Sequence, residues 1–112
     1  MQITREDLDN AIVMRVEGWI DATTVREFRE QVIGVIAPGA ERVVLDFNAL
    51  AYISSAGLRS VLDIAKEIRA LRGAFAIFGA GPGVRRVFEI SGFLRIIPLV
   101  SSEAEALALM GR

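Results

Sequence analysis

The sequence predicts an α/β fold in which four to five strands form a mixed, largely parallel sheet, with about four helices packed mainly on one face. Apolar runs rich in β-branched residues alternate with segments of helical spacing, in the order β-β-α-β-α-β-α-β-α. After an initial hairpin every strand is followed by a helix, which favours right-handed parallel crossovers. No linker or repeat interrupts the 112 residues, so we expect a single domain over residues 1–112.

The N-terminal part is predicted to form a hairpin and a helix. Residues 11–17 alternate as a strand, with residues 2–6 as a hairpin partner and Asp9-Asn10 in the turn. The following helix begins with a capping box over Thr24–Glu27 and ends at Pro38-Gly39. Its apolar face is formed by residues spaced three and four apart: Val25, Phe28, Val32, Val35 and Ile36.

The remaining segments alternate between strand and helix. Short apolar runs predict buried strands at about 42–47, 74–79 and 94–100. A helix is predicted to follow each strand, and residues typical of helix ends mark the limits of these helices. These residues are Ser55 and Gly73 for the first helix, Pro82 and Ser91-Gly92 for the second, and a capping box over Ser102–Glu105 for the third.

Composition excludes several classes of function. Thirteen Lys and Arg against 14 Asp and Glu give a net charge of −1, so no overall basic field attracts nucleic acid or an anionic membrane. The chain has no cysteine or histidine, which excludes disulfides and thiol catalysis and fits a reducing compartment. The polar N-terminus shows no secretory signal, and no run reaches the ~20 apolar residues of a membrane span. We expect a cytoplasmic protein without membrane insertion.

Catalytic chemistry finds little support in the residues. A serine nucleophile needs a base, and the single lysine, Lys66, would lie about 16 Å along a helix from Ser55. Asp21 and Asp46 could form an acid–base pair or a weak Mg²⁺ site, and could cluster with the serines at the carboxyl ends of the strands. Alternatively, Asp21 caps the first helix and Asp46 accepts hydrogen bonds from its loop; this alternative is favoured for Asp46 and stays open for Asp21. Residues 79–84 lack the last glycine of a dinucleotide fingerprint, so no cofactor is predicted.

Two serines, Ser54 and Ser55, precede the second predicted helix. Either one could be its N-cap, a contribution of ~1 kcal/mol. Ala56 and Gly57 leave the cap hydroxyl sterically open, and Gly57 costs up to ~1 kcal/mol of helix propensity, which indicates the close approach of another surface. A phosphate here would carry about −1.5 to −2 charge at the favourable end of the helix. With Asp21 reinforcing the negative field, it would repel a docked partner.

Three motifs resemble STAS domains, and most closely the bacterial anti-sigma factor antagonists: Y-I-S-S-A-G-L-R at 52–59, G-W-I-D at 18–21 and V-F-E-I-S-G-F at 87–93. The resemblance covers nearly the whole chain. The usual family loop is similar to D-S-S-G-L, whose first serine is phosphorylated by a partner kinase. Alignment implies that Ser55 is the phosphorylated residue, that Ala56 replaces the second serine, and that Ser54 replaces the aspartate and is a rival acceptor. The residues implied for partner binding are Trp19, Asp21, Thr23, Ser54, Ala56, Gly57 and Arg59.

The resemblance implies a partner-switching protein rather than an enzyme. The unphosphorylated chain would bind an anti-sigma factor that is also a serine kinase with a histidine-kinase-like ATPase fold, so that the sigma factor is released. Phosphorylation of Ser55 would release the kinase, and a metal-dependent phosphatase would reset the chain. ATP and Mg²⁺ would belong to the kinase. We expect a monomer or a weak homodimer.

Three alternatives stay open. A STAS subunit of a lipid or solute transporter would hold a transporter ATPase on the same face, and phosphorylation would play no part. A scaffold element of a signalling complex would form stable homo-oligomers. An enzyme would have to work with Asp21 and Asp46 alone. Trp19 is either a plug at the edge of the core or an exposed aromatic anchor of the docking face.

Overall fold

The computed structural model describes residues 1–37 and 39–111. Its strands are β1 (Gln2–Asp7), β2 (Ile12–Ile20), β3 (Arg42–Asp46), β4 (Leu50–Ile53), β5 (Ala74–Phe78) and β6 (Leu99–Val100). Its helices are α1 (Val25–Gly34), α2 (Ser55–Ala70), α3 (Pro82–Ser91) and α4 (Glu103–Leu109), with a 3₁₀ turn at Phe93–Arg95. The first helix ends at Gly34, earlier than the predicted end at Pro38-Gly39, and Pro38 itself lies outside the described residues.

The strands form one mixed sheet in the order β1-β2-β3-β5-β6, with β4 paired to β2. The β1–β2 hairpin is antiparallel, and the amide of Leu8 donates to the carbonyl of Ala11 at 2.9 Å in its turn. All other strand pairs are parallel. The predicted α/β class, the hairpin and the largely parallel sheet are therefore confirmed. Strand β4 is an addition, because the sequence pattern indicated only a loop at this position.

Strand β2 is long enough to pair with two strands on the same side. Arg15, in its middle, pairs with Asp46, the last residue of β3, whereas Ile20 at its end pairs with Ile53 of β4. A turn separates β3 from β4, and there the amide of Leu50 donates to the carbonyl of Phe47 at 3.0 Å. Strand β4 thus extends the sheet beyond β3 and delivers the chain to α2 beside the end of β2.

Helices α1, α2 and α3 cover one face of the sheet, as predicted, and α4 covers part of the other. The larger core includes fully buried Phe28 of α1 and Phe88 of α3, together with the inward-facing residues of α2 and the strands. On the second face, Ala106 and Met110 contact a smaller apolar cluster on the central strands: Val13, Val44, Ala76 and Phe78. Burial of these side chains stabilises the fold by about 1.5–3 kcal/mol for each large apolar residue.

One arginine ties α4 to the sheet. The Arg15 guanidinium donates to Asp46 of β3 at 2.9 Å, to Glu103 of α4 at 3.0 Å and to Glu6 of β1 at 2.5 Å. The carboxylate of Glu6, followed by those of Glu103 and Asp46, raises the pKa of Arg15 above its usual range. Arg15 therefore stays charged and links three strands to the start of the last helix.

The helix ends correct some predictions. The capping box at Thr24 is wrong, since the Thr24 hydroxyl accepts from the amide of Asp21 at 3.0 Å and donates to the carbonyl of Trp19 at 2.9 Å. Glu27 instead accepts from Gln31 at 3.0 Å. At α4 the predicted cap is present, because Ser102 Oγ accepts from the amide of Glu105 at 3.1 Å.

Two further ends differ in detail from the prediction. The left-handed residue after α2 is Arg72, with φ of 60°, and not Gly73. Gly73 is needed for another reason, because a Cβ there would lie 2.1 Å from the carbonyl oxygen of Glu41. The last strand is only Leu99–Val100, since the 3₁₀ turn at Phe93–Arg95 takes up the start of the predicted run.

No helix among the described residues is long and apolar enough to cross a bilayer.

Candidate functional site

The ends of β2 and β4 bring two loops side by side. The amide of Ser54 donates to the carbonyl of Ile20 at 2.9 Å, continuing the parallel pairing of Ile20 with Ile53. Asp21 follows Ile20, and Ser55 follows Ser54. The residues that the sequence singled out in G-W-I-D and Y-I-S-S-A-G therefore meet at one edge of the sheet, where α1 and α2 both begin.

The two serines have different structural roles. Ser54 is the half-buried N-cap of α2, with an extended backbone, and its Oγ accepts a hydrogen bond from the amide of Gly57 at 3.2 Å. Ser55 is the first helical residue and is exposed. Within residues 1–37 and 39–111 its hydroxyl makes no hydrogen bond. The hydroxyl of Ser54 is thus occupied by the helix end, and that of Ser55 is open to another molecule.

Gly57 is required by packing inside the chain. It is buried, and a Cβ at this position would lie 2.8 Å from Cγ2 and the carbonyl oxygen of Ile20, and 2.8 Å from Cγ1 of Ile53. The first turn of α2 therefore lies directly on β2 and β4. The interpretation that Gly57 leaves room for an approaching partner is replaced by this internal contact. Ala56, in contrast, is exposed beside Ser55.

The carboxylate of Asp21 is fixed by its own loop. It accepts from the hydroxyl of Thr23 at 2.6 Å and from the amide of Thr23 at 2.9 Å. These bonds, the hydroxyl first, lower the pKa of Asp21 below its usual range. Its carbonyl oxygen accepts from the amides of Thr24 and Val25 at 3.1 and 2.8 Å and so leads into α1. Asp21 therefore shapes the start of α1 and holds a fixed negative charge beside Ser54.

Trp19 is exposed rather than a plug at the edge of the core. It pairs across β2 and β4 with Tyr52, and the exposed fractions of the two residues are 48% and 54%. Their neighbours Ile20 and Ile53 point the other way and are buried. Because Gly57 of α2 packs on Ile20 and Ile53, the two adjacent aromatic side chains stand on the sheet face opposite to α2, two residues before β4 leads into Ser54. Sequence reasoning missed Tyr52, because its role becomes visible only once residues 50–53 are taken as a strand.

Arg59 and Thr23 are the remaining residues that the resemblance implied for partner binding. Both are exposed, and Arg59 lies one helical turn after Ser55 on α2. We call this set of exposed and half-buried residues the switch surface: Trp19, Asp21, Thr23, Tyr52, Ser55, Ala56 and Arg59. Ser54 and Gly57 hold the first turn of α2 in place, Ser54 as its N-cap and Gly57 by packing on Ile20 and Ile53.

Asp46 does not belong to this surface. Its register partner on β2 is Arg15. Arg15 precedes Asp21 by six residues, which corresponds to roughly 20 Å along a strand. One of the carboxylate oxygens of Asp46 accepts from the amide and side chain of Asn48 at 2.9 and 2.8 Å, and the other accepts from Arg15 at 2.9 Å. The alternative role, in which Asp46 accepts hydrogen bonds from the following loop, is confirmed. A shared acid–base or Mg²⁺ site of Asp21 and Asp46 is wrong, because β2 continues past the end of β3.

Comparison with known proteins identifies the family. The family model of the STAS domain matches residues 2–106. BtrV of Bordetella bronchiseptica, which is named an anti-sigma factor antagonist, is 38% identical over 108 residues that cover 96% of this chain and 93% of that protein. The anti-sigma F factor antagonist of Paenibacillus polymyxa is 30% identical over 108 residues, covering 96% of this chain and 92% of the relative.

Solved structures agree with this match. The anti-sigma factor antagonist SpoIIAA in its unphosphorylated form superposes with a TM-score of 0.79 at 25% identity, covering 95% of this chain and 93% of that one. The phosphorylated form of the Bacillus protein superposes with a TM-score of 0.72 at 25% identity, covering 96% and 97%. Sequence and structure together show that the chain belongs to the STAS domain family.

Proposed function

We propose that this chain is an anti-sigma factor antagonist that works by partner switching. With Ser55 unmodified it binds an anti-sigma factor that is also a serine kinase of the histidine-kinase-like ATPase type. Phosphorylation of Ser55 releases this partner. The names of the relatives support the function, and SpoIIAA, with the same fold, exists in phosphorylated and unphosphorylated forms. The observation that carries the proposal is the exposed, unengaged hydroxyl of Ser55 beside a serine whose hydroxyl caps the helix.

The chemistry needs only an acceptor from this chain. The partner kinase transfers the γ-phosphoryl group of ATP to Ser55 Oγ: the new oxygen–phosphorus bond forms, the bond to the β-phosphate oxygen breaks, and ADP leaves. The hydroxyl proton passes to a base of the kinase. A metal-dependent phosphatase then hydrolyses the ester with one water. Because ATP and Mg²⁺ belong to the kinase, this chain acts as substrate and ligand and not as an enzyme. The exchange takes place in the cytoplasm.

The aromatic pair on the switch surface gives the partner a place to bind. Large aromatic side chains supply most of the affinity in many protein interfaces, because they bury area with few torsions to immobilise. Trp19 and Tyr52 stand next to each other, and strand β4 connects Tyr52 to Ser55 within three residues. A kinase that covers this end of the sheet contacts the aromatic pair on one face and reaches Ser55 across the edge, at the start of α2.

A phosphate on Ser55 weakens this contact without unfolding the chain. It adds about −1.5 to −2 charge at the first residue of α2, where the helix dipole tolerates an anion. Asp21 is held ionised beside Ser54 by Thr23. The two negative groups together repel acidic parts of the partner and must be desolvated if it stays. The effect of phosphorylation therefore falls on binding.

A pull-down from a lysate of the source organism tests this function. The baits are the wild-type chain, Ser55→Asp and Ser101→Asp, which adds the same charge at an exposed serine on another loop. We expect the wild type and Ser101→Asp to retain a kinase-type ATPase, identified by mass spectrometry, and Ser55→Asp to lose it. Full retention by Ser55→Asp contradicts the switch. Retention of a transporter ATPase by all baits would identify a transport subunit, and stable homo-oligomers without a kinase would identify a scaffold.

A further inference from the structure

We propose that Arg59 is the intramolecular partner of the phosphate on Ser55, so that phosphorylation both adds negative charge and removes a free cation from the switch surface. This inference rests on the proposed function, since it concerns the modified form of Ser55. Ser55 is the first residue of α2, and Arg59 follows it by four positions. Both side chains are exposed.

Helix geometry places the two side chains together. Residues four apart on a helix lie on the same face with their Cβ atoms about 6 Å apart. Helical side chains also tilt toward the N-terminus, so the long side chain of Arg59 extends over the turn that holds Ser55. Ala56 is the small, exposed residue next to Ser55 in this turn. A guanidinium group can therefore meet the phosphate oxygens in the two-bond geometry that arginine favours.

The guanidinium of Arg59 is available for a new anion because the acidic residue four positions further along α2 forms an ion pair with another helix. The residue one turn further is Asp63, but its carboxylate pairs with Arg29 of α1 at 3.5 Å. The first turn of α2 carries no acidic residue. Arg26 and Arg85, on α1 and α3, have their own carboxylates four residues on, at 3.7 and 3.4 Å. Arg59 has no ion pair within residues 1–37 and 39–111, so it meets a new anion without giving up an existing contact.

The charges around Ser55 also favour a contact between its phosphate and Arg59. Asp21 follows Ile20, whose carbonyl accepts from the amide of Ser54, and the hydrogen bonds from Thr23 keep its carboxylate ionised. It repels a phosphate on Ser55, whereas Arg59 attracts the phosphate along the helix. The phosphate is therefore drawn away from β2 and onto the surface of α2.

The contact gives the switch a second element. In the unmodified chain Arg59 is an exposed cation on the switch surface, free to pair with a carboxylate of the anti-sigma factor. After phosphorylation the same guanidinium is paired with the phosphate. The partner then meets a negative group and also loses a cation, so that its affinity falls by more than a substitution of Arg59 or the added charge alone would produce.

A titration of the phosphate tests the inference without any kinase. Phosphoserine is incorporated at position 55 during translation, and its second ionisation is followed by ³¹P NMR in the whole chain. A phosphoserine has a pKa of about 6, and a nearby guanidinium lowers it. We expect Arg59→Gln to raise the phosphate pKa by about 0.3–0.7 units relative to the otherwise unaltered chain, as for an exposed ion pair. Arg59→Lys keeps the positive charge and should therefore raise the phosphate pKa by less than Arg59→Gln does.

The matched control is Lys66→Gln, which removes one exposed positive charge from the same helix farther from Ser55. It should leave the phosphate pKa unchanged. Equal phosphate pKa values in Arg59→Gln and the otherwise unaltered chain would overturn the proposal, and so would equal shifts in Arg59→Gln and Lys66→Gln. The pull-down decides the proposed function separately, so an Arg59-dependent pKa supports the contact even when no kinase is captured.

Discussion

The hydroxyl of Ser54 accepts a hydrogen bond from the amide of Gly57 at 3.2 Å, and this contact separates the roles of two adjacent serines. One hydroxyl completes the end of a helix. The other, on Ser55, is exposed and unengaged in the described part of the chain. Two residues with the same chemistry therefore make different contributions to stability and to regulation, and each contribution can be measured.

Alanine substitutions should separate the two serines by stability. Ser54→Ala removes the acceptor for an amide at the helix end and should lower the free energy of unfolding by about 1 kcal/mol. Ser55→Ala removes a hydroxyl with no described partner and should change it by less than about 0.5 kcal/mol. Urea unfolding followed by circular dichroism measures both. Equal losses in the two variants would contradict the assignment of Ser54 as the cap.

Gly57→Ala should destabilise the chain although alanine is the better helix former. The new Cβ would lie 2.8 Å from atoms of Ile20 and Ile53, so α2 must shift at a cost of about 1–3 kcal/mol, more than the ~1 kcal/mol gained in helix propensity. Gly83→Ala is the matched control. A Cβ at Gly83 in α3 meets nothing within 4 Å, so this variant should gain up to about 1 kcal/mol. The same sign of change in both variants, measured by urea unfolding, would be inconsistent with tight packing under Gly57.

Thr23→Val should raise the pKa of Asp21. The Thr23 hydroxyl is the largest cause of the lowered pKa, and valine keeps the shape and the backbone amide while removing that hydroxyl. An aspartate with a lowered folded-state pKa adds stability above its unfolded pKa of about 4, and this stability is lost as pH falls through the folded value. In Thr23→Val the loss should be smaller over the same range. Carboxyl ¹³C NMR gives the pKa of Asp21, and an unchanged value would show that the hydroxyl bond is unimportant.

Trp19 should report directly on docking. It is the only tryptophan and is 48% exposed, so its fluorescence should shift to the blue when the partner covers it. Trp19→Ala should weaken binding of the captured ATPase by about 30-fold or more, as for an aromatic residue at the centre of an interface. Leu71→Ala, at a residue that is 49% exposed at the far end of α2, is the control and should bind normally. Normal binding by Trp19→Ala would remove the aromatic pair from the interface.

The sequence predicted those features that local pattern determines. Helical spacing located α1 and α2, residues typical of helix ends located α3 and α4, and the hairpin followed from alternation and the Asp9-Asn10 turn. Strand β4 was missed because four residues are too few to show a period, and the strand exists only through its pairing with the far half of β2. The same long strand separates Asp46 from Asp21, a distance that depends on register and that no motif contains.

The candidate site shows the same division between local and tertiary information. Motif resemblance located the serines and Asp21, but only the structure distinguishes the cap from the free hydroxyl. Gly57 stood out as a small residue, yet its reason is a contact with side chains distant in sequence. The exposure of Trp19 depends on which face of β2 it occupies after the register shift at Gly18/Trp19.

The most direct test of partner switching is an affinity comparison by isothermal titration calorimetry. The captured ATPase is purified and titrated with the unmodified chain and with the chain that carries phosphoserine at position 55. The switch predicts that phosphorylation weakens binding by about 100-fold or more, because a negative charge is added within the docking surface. Equal affinity for the two forms would contradict it and would leave Ser55 as an exposed serine without a regulatory role.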